Sequence, residues 1–326
     1  MEDLSFITTS DGSITLADKS TGEWYHNSAG AYEESLVNYC EPAMAWLNAP
    51  GDSRSSLRIL DICFGMGYNS FTFLNLLLKS GLSIPSLEIV AVELDPGLLP
   101  AMSAVLKQDL YKDIGEAGFR DIRRGKSFQE LFQTSSVKDD LLEAELQSEN
   151  GSNVERITFK LYLNDLRTFV PALVGVQGRD GNEFAITSPK DFDLIFHDPF
   201  SPNRVPQFWT KDIFDVYFQL LKKRSGLVFT YSVATAVRAG LLEAGFSILR
   251  TKAVGAKSGG TVAYPKSNSS LIDLCRAEDP SPLFFSLDEE ELGRLGTRSG
   301  VPYRDPDFSR ARNEILCHRQ DEQDQL

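Results

Sequence analysis

Short apolar segments alternate with amphipathic segments from Leu57 onward, and this alternation limits the fold more than any other feature of the sequence. The amphipathic segments have helical spacing, as in residues 70–79, 211–221 and 234–244. The apolar segments are predicted strands, at residues 58–63, 88–93, 158–163, 192–197, 226–231, 246–251 and 260–264. Repeated strand–helix units with buried strands indicate a mostly parallel sheet covered by helices on both faces. We therefore expect an α/β fold with seven strands, in which the last two form an antiparallel hairpin.

Three regions lie outside this alternation. In residues 6–16, β-forming residues surround an Asp-Gly pair, which predicts an N-terminal β-hairpin, and residues 31–46 fit a helix. The polar, acidic residues 134–154 are predicted as a surface insertion with a short helix over residues 139–147. Residues 266–326 are rich in Pro, Asp and Glu and are predicted as an acidic, partly ordered tail. The expected division of the chain is into residues 1–50, 51–265 and 266–326.

Composition argues against several classes of protein. Of the 326 residues, 42% are hydrophobic and 24% are charged, which is typical of a globular chain with an ordinary core. No apolar run approaches the ~20 residues of a membrane-spanning helix, and the acidic N-terminus lacks a signal region. The four cysteines show no C-x-x-C spacing and there are three histidines, so we expect neither a metal site nor a disulfide framework. We expect a cytoplasmic protein with no membrane partner.

The charge is unevenly distributed along the chain. The net charge is −13, which argues against a simple nucleic-acid binder. Residues 156–265 nevertheless carry 14 basic and 9 acidic side chains, a net charge of +5. This stretch is either ordinary surface variation or a local face for an anionic partner. If it binds RNA, the candidate phosphate contacts are Arg204, Lys211, Lys222, Lys223, Arg224, Arg238, Arg250 and Lys257.

A glycine-containing turn is the strongest local signal. The segment L-D-I-C-F-G-M-G-Y-N, residues 60–69, follows one predicted strand and precedes a predicted helix. Glycines at positions 65 and 67 let the backbone approach a ligand, and the next helix offers unpaired N–H groups. Glu93 ends the following strand, where an acid can accept two hydrogen bonds from a ribose diol. The alternative is a tight turn beside a solvated acidic residue.

The residues around this turn favour one nucleoside cofactor over another. A dinucleotide fold would have the pattern G-x-G-x-x-G. In this sequence Ser70 stands at the position of the third glycine, and Tyr68 and Asn69 crowd the approach of a pyrophosphate. S-adenosylmethionine has no phosphate, and its sulfonium and amino-acid groups suit Asp61. Asp165 follows the third strand, where an acid faces adenine in methyltransferase sheets, although it also fits a helix N-cap. The candidate cofactor-binding residues are Asp61, Phe64, Gly65, Gly67, Asn69, Glu93 and Asp165.

The candidate catalytic residues follow the fourth strand, in the segment H-D-P-F-S-P at residues 197–202. Asp198 stands at the carboxyl end of a central strand, where ligands bind in open α/β sheets. With an amine nucleophile it would hold the group in line and accept its proton, and Phe200 would flank a flat substrate. The alternative is a capping aspartate in a proline turn. His197 is interpreted as a packing residue.

Several motifs together resemble the methyltransferase domain of the MnmC family, and especially its stand-alone members, which lack the FAD-dependent oxidase half. The likeness extends over about residues 9–265. It is carried by T-x-D-G-S-x-T (9–15), G-E-x-Y-H-x-x-x-G-A (22–31), F-G-x-G-x-N (64–69), H-D-x-F-S-P (197–202), P-x-x-W-T (206–210), V-R-x-x-L-x-x-A-G-F (237–246) and G-T-V-A (260–263).

The resemblance implies the Rossmann-like fold of class I methyltransferases, with S-adenosylmethionine as cofactor. It also implies methyl transfer to the exocyclic amine of 5-aminomethyl(-2-thio)uridine at the tRNA wobble position. The implied partners are the tRNA anticodon loop and a separate enzyme that makes the aminomethyl precursor. The family's glycine turn corresponds to Gly65 and Gly67, its cofactor acid to Glu93, and its acid–phenylalanine substrate pair to Asp198 and Phe200, with Phe200 stacked on the uracil.

Two departures from the family pattern keep other functions open. Cys63 replaces a glycine, which we expect to be tolerated only if the backbone there is ordinary β-structure. The basic loop before G-T-V-A retains one lysine, Lys257, which weakens the case for tRNA. The alternatives are a small-molecule amine or polyamine transferase and a non-catalytic S-adenosylmethionine-binding protein. A nicotinamide dehydrogenase is disfavoured, because the third glycine is missing.

Overall fold

The computed structural model describes most of the chain as two compact units, residues 1–163 and residues 164–326. The described residues are 6–16, 25, 30–49, 54–133, 136–176, 191–222, 225–252, 259–267 and 283–326. Within these ranges, every helix is too short or too polar to cross a membrane. The expected boundaries after residues 50 and 265 differ from this division and stay predictions.

Five strands of the first unit pair side by side, in the order β3-β4-β7-β6-β5. They are β3 (Ser56–Ile62), β4 (Ser86–Glu93), β5 (Phe119–Asp121), β6 (Leu141–Ser148) and β7 (Arg156–Leu163). The strands β3, β4 and β7 are parallel, whereas β6 and β5 add antiparallel pairs. The parallel strands bury apolar side chains on both faces, as the near-continuous apolar runs predict.

Helices surround these strands and an N-terminal hairpin precedes them. The hairpin joins β1 (Phe6–Thr8) to β2 (Ile14–Leu16), as predicted. The helices of the unit are α1 (Ala31–Ser35), α2 (Glu41–Leu47), α3 (Tyr68–Ser80), α4 (Leu99–Leu106) and α5 (Lys112–Ala117), and a π-helical segment, Leu36–Cys40, joins α1 to α2. Three short 3₁₀ segments lie at Pro96–Leu98, Asp109–Tyr111 and Phe128–Leu131.

The core of the first unit contains an aromatic cluster, which consists of Phe64, Phe71, Phe128, Phe132 and Phe159.

The short helix predicted over residues 139–147 is wrong, because this segment forms strand β6. Leu142, Ala144 and Leu146 are buried, while the acidic side chains at positions 143 and 145 lie on the opposite face. This period of two residues is the pattern of a strand, and the high content of acidic residues conceals it in the sequence.

The second unit pairs its strands in the order β12-β10-β11-β9-β8. They are β8 (Leu194–His197), β9 (Leu227–Thr230), β10 (Phe246–Thr251), β11 (Thr261–Pro265) and β12 (Phe284–Phe285). β8 and β9 are parallel, and β10 and β11 form the predicted antiparallel hairpin. With β5, β6 and β12, the described parts of the two units contain ten strands besides the N-terminal hairpin, where seven were predicted.

The helices of the second unit include two from the C-terminal region. They are α6 (Leu166–Ala172), α7 (Lys211–Leu220), α8 (Thr235–Glu243), α9 (Glu289–Leu295) and α10 (Arg312–Gln323), with 3₁₀ segments at Pro206–Phe208 and Arg298–Gly300. Helix α9 begins with a capping box in which Asp288 and Glu291 exchange hydrogen bonds with each other's backbone. Residues 283–326 thus contain two helices, a 3₁₀ segment and a short strand, although their composition is polar and acidic.

Candidate functional site

The glycine turn after β3 is closed by a hydrogen bond from the N–H of Gly67 to the carbonyl of Phe64, 2.8 Å long. Both glycines have left-handed backbone angles, φ +56° at Gly65 and +86° at Gly67. A Cβ atom at Gly67 would lie 2.3 Å from the ring of Phe71, whereas one at Gly65 would have no neighbour closer than 3.8 Å. Packing therefore demands glycine at position 67, while position 65 leaves an open backbone face that a ligand can approach.

Glu93 lies at this turn, as the sequence predicts. Its Oε2 accepts the N–H of Gly65 at 2.8 Å, and its Oε1 accepts those of Leu94 at 2.8 Å and Asp95 at 3.0 Å. Burial raises the pKa of the Glu93 carboxyl above its usual range, and the three N–H donors partly offset this rise. The end of β4 and the glycine turn are thus joined through one carboxylate.

The expectation of ordinary β-structure at Cys63 is wrong. Its φ is +59°, in the left-handed region, because the chain leaves β3 after Ile62 and bends at once into the turn. The N–H of Phe64 then bonds to the carbonyl of Val92 at 3.0 Å, which fixes the start of the turn against β4. A side chain in this conformation costs roughly 1–2 kcal/mol relative to glycine.

The other predicted cofactor residues of the first unit support the turn from within. Asp61 is fully buried and its Oδ2 accepts the hydroxyl of Ser70 at 2.6 Å. The carbonyl of Asn69 accepts the Cys40 thiol, with 3.4 Å between the sulfur and the oxygen. Phe64 is buried in the aromatic cluster. These contacts give all three residues a structural role, and their contact with a cofactor stays a prediction.

The T-x-D-G-S motif connects the hairpin to the next helix. The Asp11 carboxylate accepts the N–H of Ser13 at 2.9 Å and that of Glu33, in α1, at 2.8 Å. A Cβ atom at Gly30 would lie 2.0 Å from this carboxylate, which explains the glycine there. The hydroxyl of Tyr68, the first residue of α3, donates to the carbonyl of Ile14 at 2.7 Å. The hairpin is therefore attached to the helix that follows the glycine turn.

In the second unit, Asp165 is the N-cap of α6. Its Oδ1 accepts the N–H of Arg167 at 2.8 Å, and its Oδ2 lies 3.4 Å from Nη2 of the same arginine. The N-cap interpretation is thus confirmed, and the contact of Asp165 with adenine stays a prediction.

Asp198 and Phe200 follow β8 directly, and both are half-buried. Two side chains fix the loop that carries them. The indole N–H of Trp209 donates to the carbonyl of Phe200 at 2.8 Å, and the hydroxyl of Tyr231 donates to that of Pro199 at 2.9 Å. The Arg204 guanidinium lies 4.5 Å from the centre of the Phe200 ring, a cation–π contact. Asp198 and Phe200 therefore project from a loop with defined anchors.

His197 is a packing residue, as interpreted from the sequence. It is fully buried, with its Nδ1 2.8 Å from the hydroxyl of Tyr217 and its ring edge-on to Trp209 at 4.6 Å. Burial lowers the pKa of His197 to about 3, so the imidazole is neutral at physiological pH.

Most of the predicted phosphate contacts that the structure describes are paired with acids. Arg238 is buried and lies 2.7 Å from Glu291, so the prediction that it meets phosphate is wrong. The remaining pairs are Lys211 with Asp215 at 2.6 Å, Lys222 with Asp193 at 2.8 Å, and Arg250 with Asp288 at 3.6 Å. Lys223, Arg224 and Lys257 lie outside the described residues. Among the described residues, no cluster of His, Cys, Asp or Glu could hold a metal ion.

The sequence reasoning missed residues that support the second-unit loops. Trp209 stands in the P-x-x-W-T motif, and this position next to the Asp198 segment was a usable signal. Arg167 and Asp305 form a buried ion pair, with 3.8 Å between Nη1 and Oδ2. They are so far apart in the chain that no local pattern connects them.

Comparisons with known proteins agree with these features. Residues 127–266 match a family of S-adenosyl-L-methionine-dependent methyltransferases. The crystal structure of MnmC2 from Aquifex aeolicus superposes with a TM-score of 0.66 at 25% identity, over 100% of this chain and 87% of that one. The chain is an S-adenosylmethionine-dependent methyltransferase that is similar to MnmC2. The class I α/β fold and the cofactor expected from the sequence are thereby confirmed.

Two curated relatives define the extent of the likeness. The uncharacterized protein MJ0670 of Methanocaldococcus jannaschii is 26% identical over all of this chain and 74% of its own length. The tRNA 5-methylaminomethyl-2-thiouridine biosynthesis bifunctional protein MnmC of Vibrio vulnificus is 31% identical over 101 residues, which are 31% of this chain and 13% of that protein. The match to the bifunctional enzyme is thus limited to about a third of this chain and to a small part of that protein.

Proposed function

We propose that this MnmC-like methyltransferase methylates the exocyclic amine of 5-aminomethyl(-2-thio)uridine at the tRNA wobble position, giving 5-methylaminomethyluridine. The observation that carries the proposal is the anchored loop after β8, which presents Asp198 beside Phe200 in a chain similar throughout to MnmC2. An acid beside an aromatic ring suits a substrate that joins an amine to a flat base. The proposal places the enzyme in the cytoplasm with its tRNA.

The residues of the first unit fit the cofactor. Gly65 offers an open backbone face, and Glu93 places an acceptor carboxylate beside it. Glu93 would bind the ribose hydroxyls, and Asp61, Phe64, Gly67 and Asn69 would shape and support the same turn. In the second unit, Asp165 would bind the adenine amino group. When bound, S-adenosylmethionine supplies a methyl group on a sulfonium, ready for transfer to a nucleophile.

The chain's own residues must deliver a neutral amine. A primary alkylamine is mostly protonated at neutral pH. Its deprotonation costs about 1.4 kcal/mol for each unit by which its pKa exceeds the pH. Asp198 would attract the ammonium form and then accept its proton, which leaves the nitrogen lone pair free to attack. Phe200 would stack on the uracil, with Arg204 on the other face of the phenyl ring. The substrate implies a separate enzyme that installs the aminomethyl group.

Replacing the carboxylate tests this role. Asp198→Asn keeps the size of the side chain and removes the proton acceptor, so kcat for tRNA from cells that lack this modification step should fall about 100-fold or more. The affinity for S-adenosylhomocysteine, measured by calorimetry, should stay unchanged. Asp215→Asn is the matched control, because Asp215 pairs with Lys211 on the surface of α7. An Asp198→Asn enzyme with wild-type kcat would remove Asp198 from the mechanism.

A second candidate function is methylation of a small amine or polyamine. It is favoured by the net charge of −13 and by the ion pairs that occupy Lys211, Lys222, Arg238 and Arg250. Turnover of free amines in the absence of RNA would support this alternative over the tRNA substrate.

A further inference from the structure

Residues 303–312, here called the C-terminal brace, contact the parts of the second unit that carry Asp165, Asp198 and Phe200. The brace runs from the segment after α9 into the first residue of α10. Its sequence, Y-R-D-P-D-F-S-R-A-R, is mostly polar and charged and contains no motif that marks it as functional.

The first contact is with the turn that Asp165 caps. Arg167 has a side chain only 7% exposed and lies between Asp165 Oδ2, at 3.4 Å, and the fully buried Asp305 Oδ2, at 3.8 Å. Its Nη1 also donates to the carbonyl of Arg310 at 3.1 Å. One guanidinium therefore connects Asp165 to two positions of the brace.

The second contact is with the loop that follows Asp198 and Phe200. Arg312 donates from Nη2 to the carbonyl of Asn203 at 2.8 Å and from Nε to that of Arg204 at 3.1 Å. A guanidinium that binds two consecutive carbonyls fixes the direction of the backbone as well as its position. Arg204 is also the residue whose side chain lies over Phe200. The brace is thus connected through Arg204 to Phe200, the residue proposed to stack on the substrate.

The brace itself is held in place. The N–H of Lys211, the first residue of α7, donates to the carbonyl of Tyr303 at 2.9 Å. The N–H of Asp305 donates to Asp212 Oδ2 at 2.6 Å, and Asp305 Oδ1 accepts the N–H groups of Ser309 and Arg310, each at 3.0 Å. These contacts attach the first residues of the brace to α7 and fold its later residues onto Asp305, so the brace can transmit its position to the loops that it contacts.

We propose that Arg167, Asp305 and Arg312 are positioning residues, through which the C-terminal brace fixes the Asp165 turn and the loop that carries Asp198 and Phe200. The catalytic and binding roles of Asp165, Asp198 and Phe200 rest on the proposed function. The brace would be needed for substrate binding and turnover although none of its residues touches the substrate.

Hydrogen exchange tests the structural part of this proposal without any substrate. Arg312 is exposed, so Arg312→Ala should leave the protein folded. The N–H groups of Arg204 and Val205, both bonded to the carbonyl of Ser201, should then exchange about fivefold faster or more. Gln323→Ala is the matched control, because Gln323 lies on the same helix and also donates to a backbone carbonyl, that of Arg298, which is outside the brace. Equal exchange of residues 201–209 in Arg312→Ala and wild type would overturn the proposal.

Kinetics test the functional part. Arg312→Ala should raise KM for tRNA and lower kcat, each about threefold or more, while affinity for S-adenosylhomocysteine stays within about twofold. Arg312→Lys should recover part of the loss, because an ammonium can reach one of the two carbonyls. Gln323→Ala should match wild type in all three quantities. Arg312→Ala kinetics equal to those of Gln323→Ala would contradict a positioning role.

The contact between Asp305 and Arg167, on the side of the proposed cofactor residue Asp165, is tested by a separate variant. Asp305→Asn weakens the hold on Arg167 and should reduce affinity for S-adenosylhomocysteine about threefold or more, with less effect on the loop at residues 201–209. If wild-type protein fails to methylate tRNA, the proposed function fails. The exchange comparison between Arg312→Ala and Gln323→Ala still decides whether the brace positions the loop.

Discussion

Glu93 is the candidate cofactor residue whose surroundings are most closely defined, since both of its oxygens accept backbone N–H groups. Glu93→Gln would place an NH₂ group against one of these donors and remove the charge. Affinity for S-adenosylhomocysteine should fall about 10- to 100-fold. Glu88→Gln is the control, because Glu88 lies on the same strand but pairs with Arg58. Calorimetry that shows equal loss in both variants would remove Glu93 from the site.

The raised pKa of Glu93 also predicts a pH dependence. Because the pKa is raised, Glu93 takes up a proton at a less acidic pH than an ordinary glutamate, and the protonated carboxyl is a poorer acceptor for ribose hydroxyls. Wild-type affinity for S-adenosylhomocysteine should therefore decline from neutral to mildly acidic pH. In the Glu93→Gln protein, a titration over the same range should show the decline removed; a persistent decline would assign it to another group.

Cys63 is expected to be a site of stored strain. Cys63→Gly should increase the free energy of unfolding by about 0.5–1 kcal/mol, because relief of the left-handed backbone outweighs the entropy cost of glycine. Cys63→Ala keeps the Cβ atom and should gain nothing. Urea unfolding of both variants checks this, and a less stable glycine variant would show that the thiol contributes more than the strain costs.

At the scale of elements, the sequence predicts what depends on local pattern. The parallel strands β3, β4 and β7, the N-terminal hairpin and the proximity of Gly65 to Glu93 all follow from apolar runs and strand ends. Strand β6 was missed because its acidic residues resemble an exposed insertion. The ion pair between Arg167 and Asp305 was not predictable, because only the folded chain brings these distant residues together.

The two glycines of the turn should respond differently to alanine. At position 67, the left-handed φ and the clash with Phe71 should together cost about 2–3 kcal/mol of the free energy of unfolding. At position 65, only the backbone cost of about 1 kcal/mol applies, yet the methyl group occupies the open face. Thermal unfolding and calorimetry should therefore show Gly65→Ala as a folded protein with impaired S-adenosylhomocysteine binding. Intact binding in Gly65→Ala would contradict the assigned face.

At the scale of the whole molecule, the proposed tRNA substrate would require this acidic protein to bind an anion through few contacts. Arg204 lies over the ring of Phe200, and Lys223, Arg224 and Lys257 are further candidates from the sequence. The logarithm of tRNA affinity should fall linearly as the logarithm of salt concentration rises. Each phosphate contact contributes about −0.7 to the slope, so we expect a slope of about −2 to −3. Arg204→Gln should reduce the magnitude of this slope by about 0.7, and Lys211→Gln should leave it unchanged. A flat salt response would favour the small-amine alternative.

The central claim is tested most directly by incubating the protein with labelled S-adenosylmethionine and tRNA from cells that lack this modification step, then digesting the RNA to nucleosides. The proposal predicts label in 5-methylaminomethyl(-2-thio)uridine, and about a hundredth of that label or less when RNA is treated with the Asp198→Asn protein for the same time. Label in any other nucleoside, or none in RNA while free amines become labelled, would contradict it.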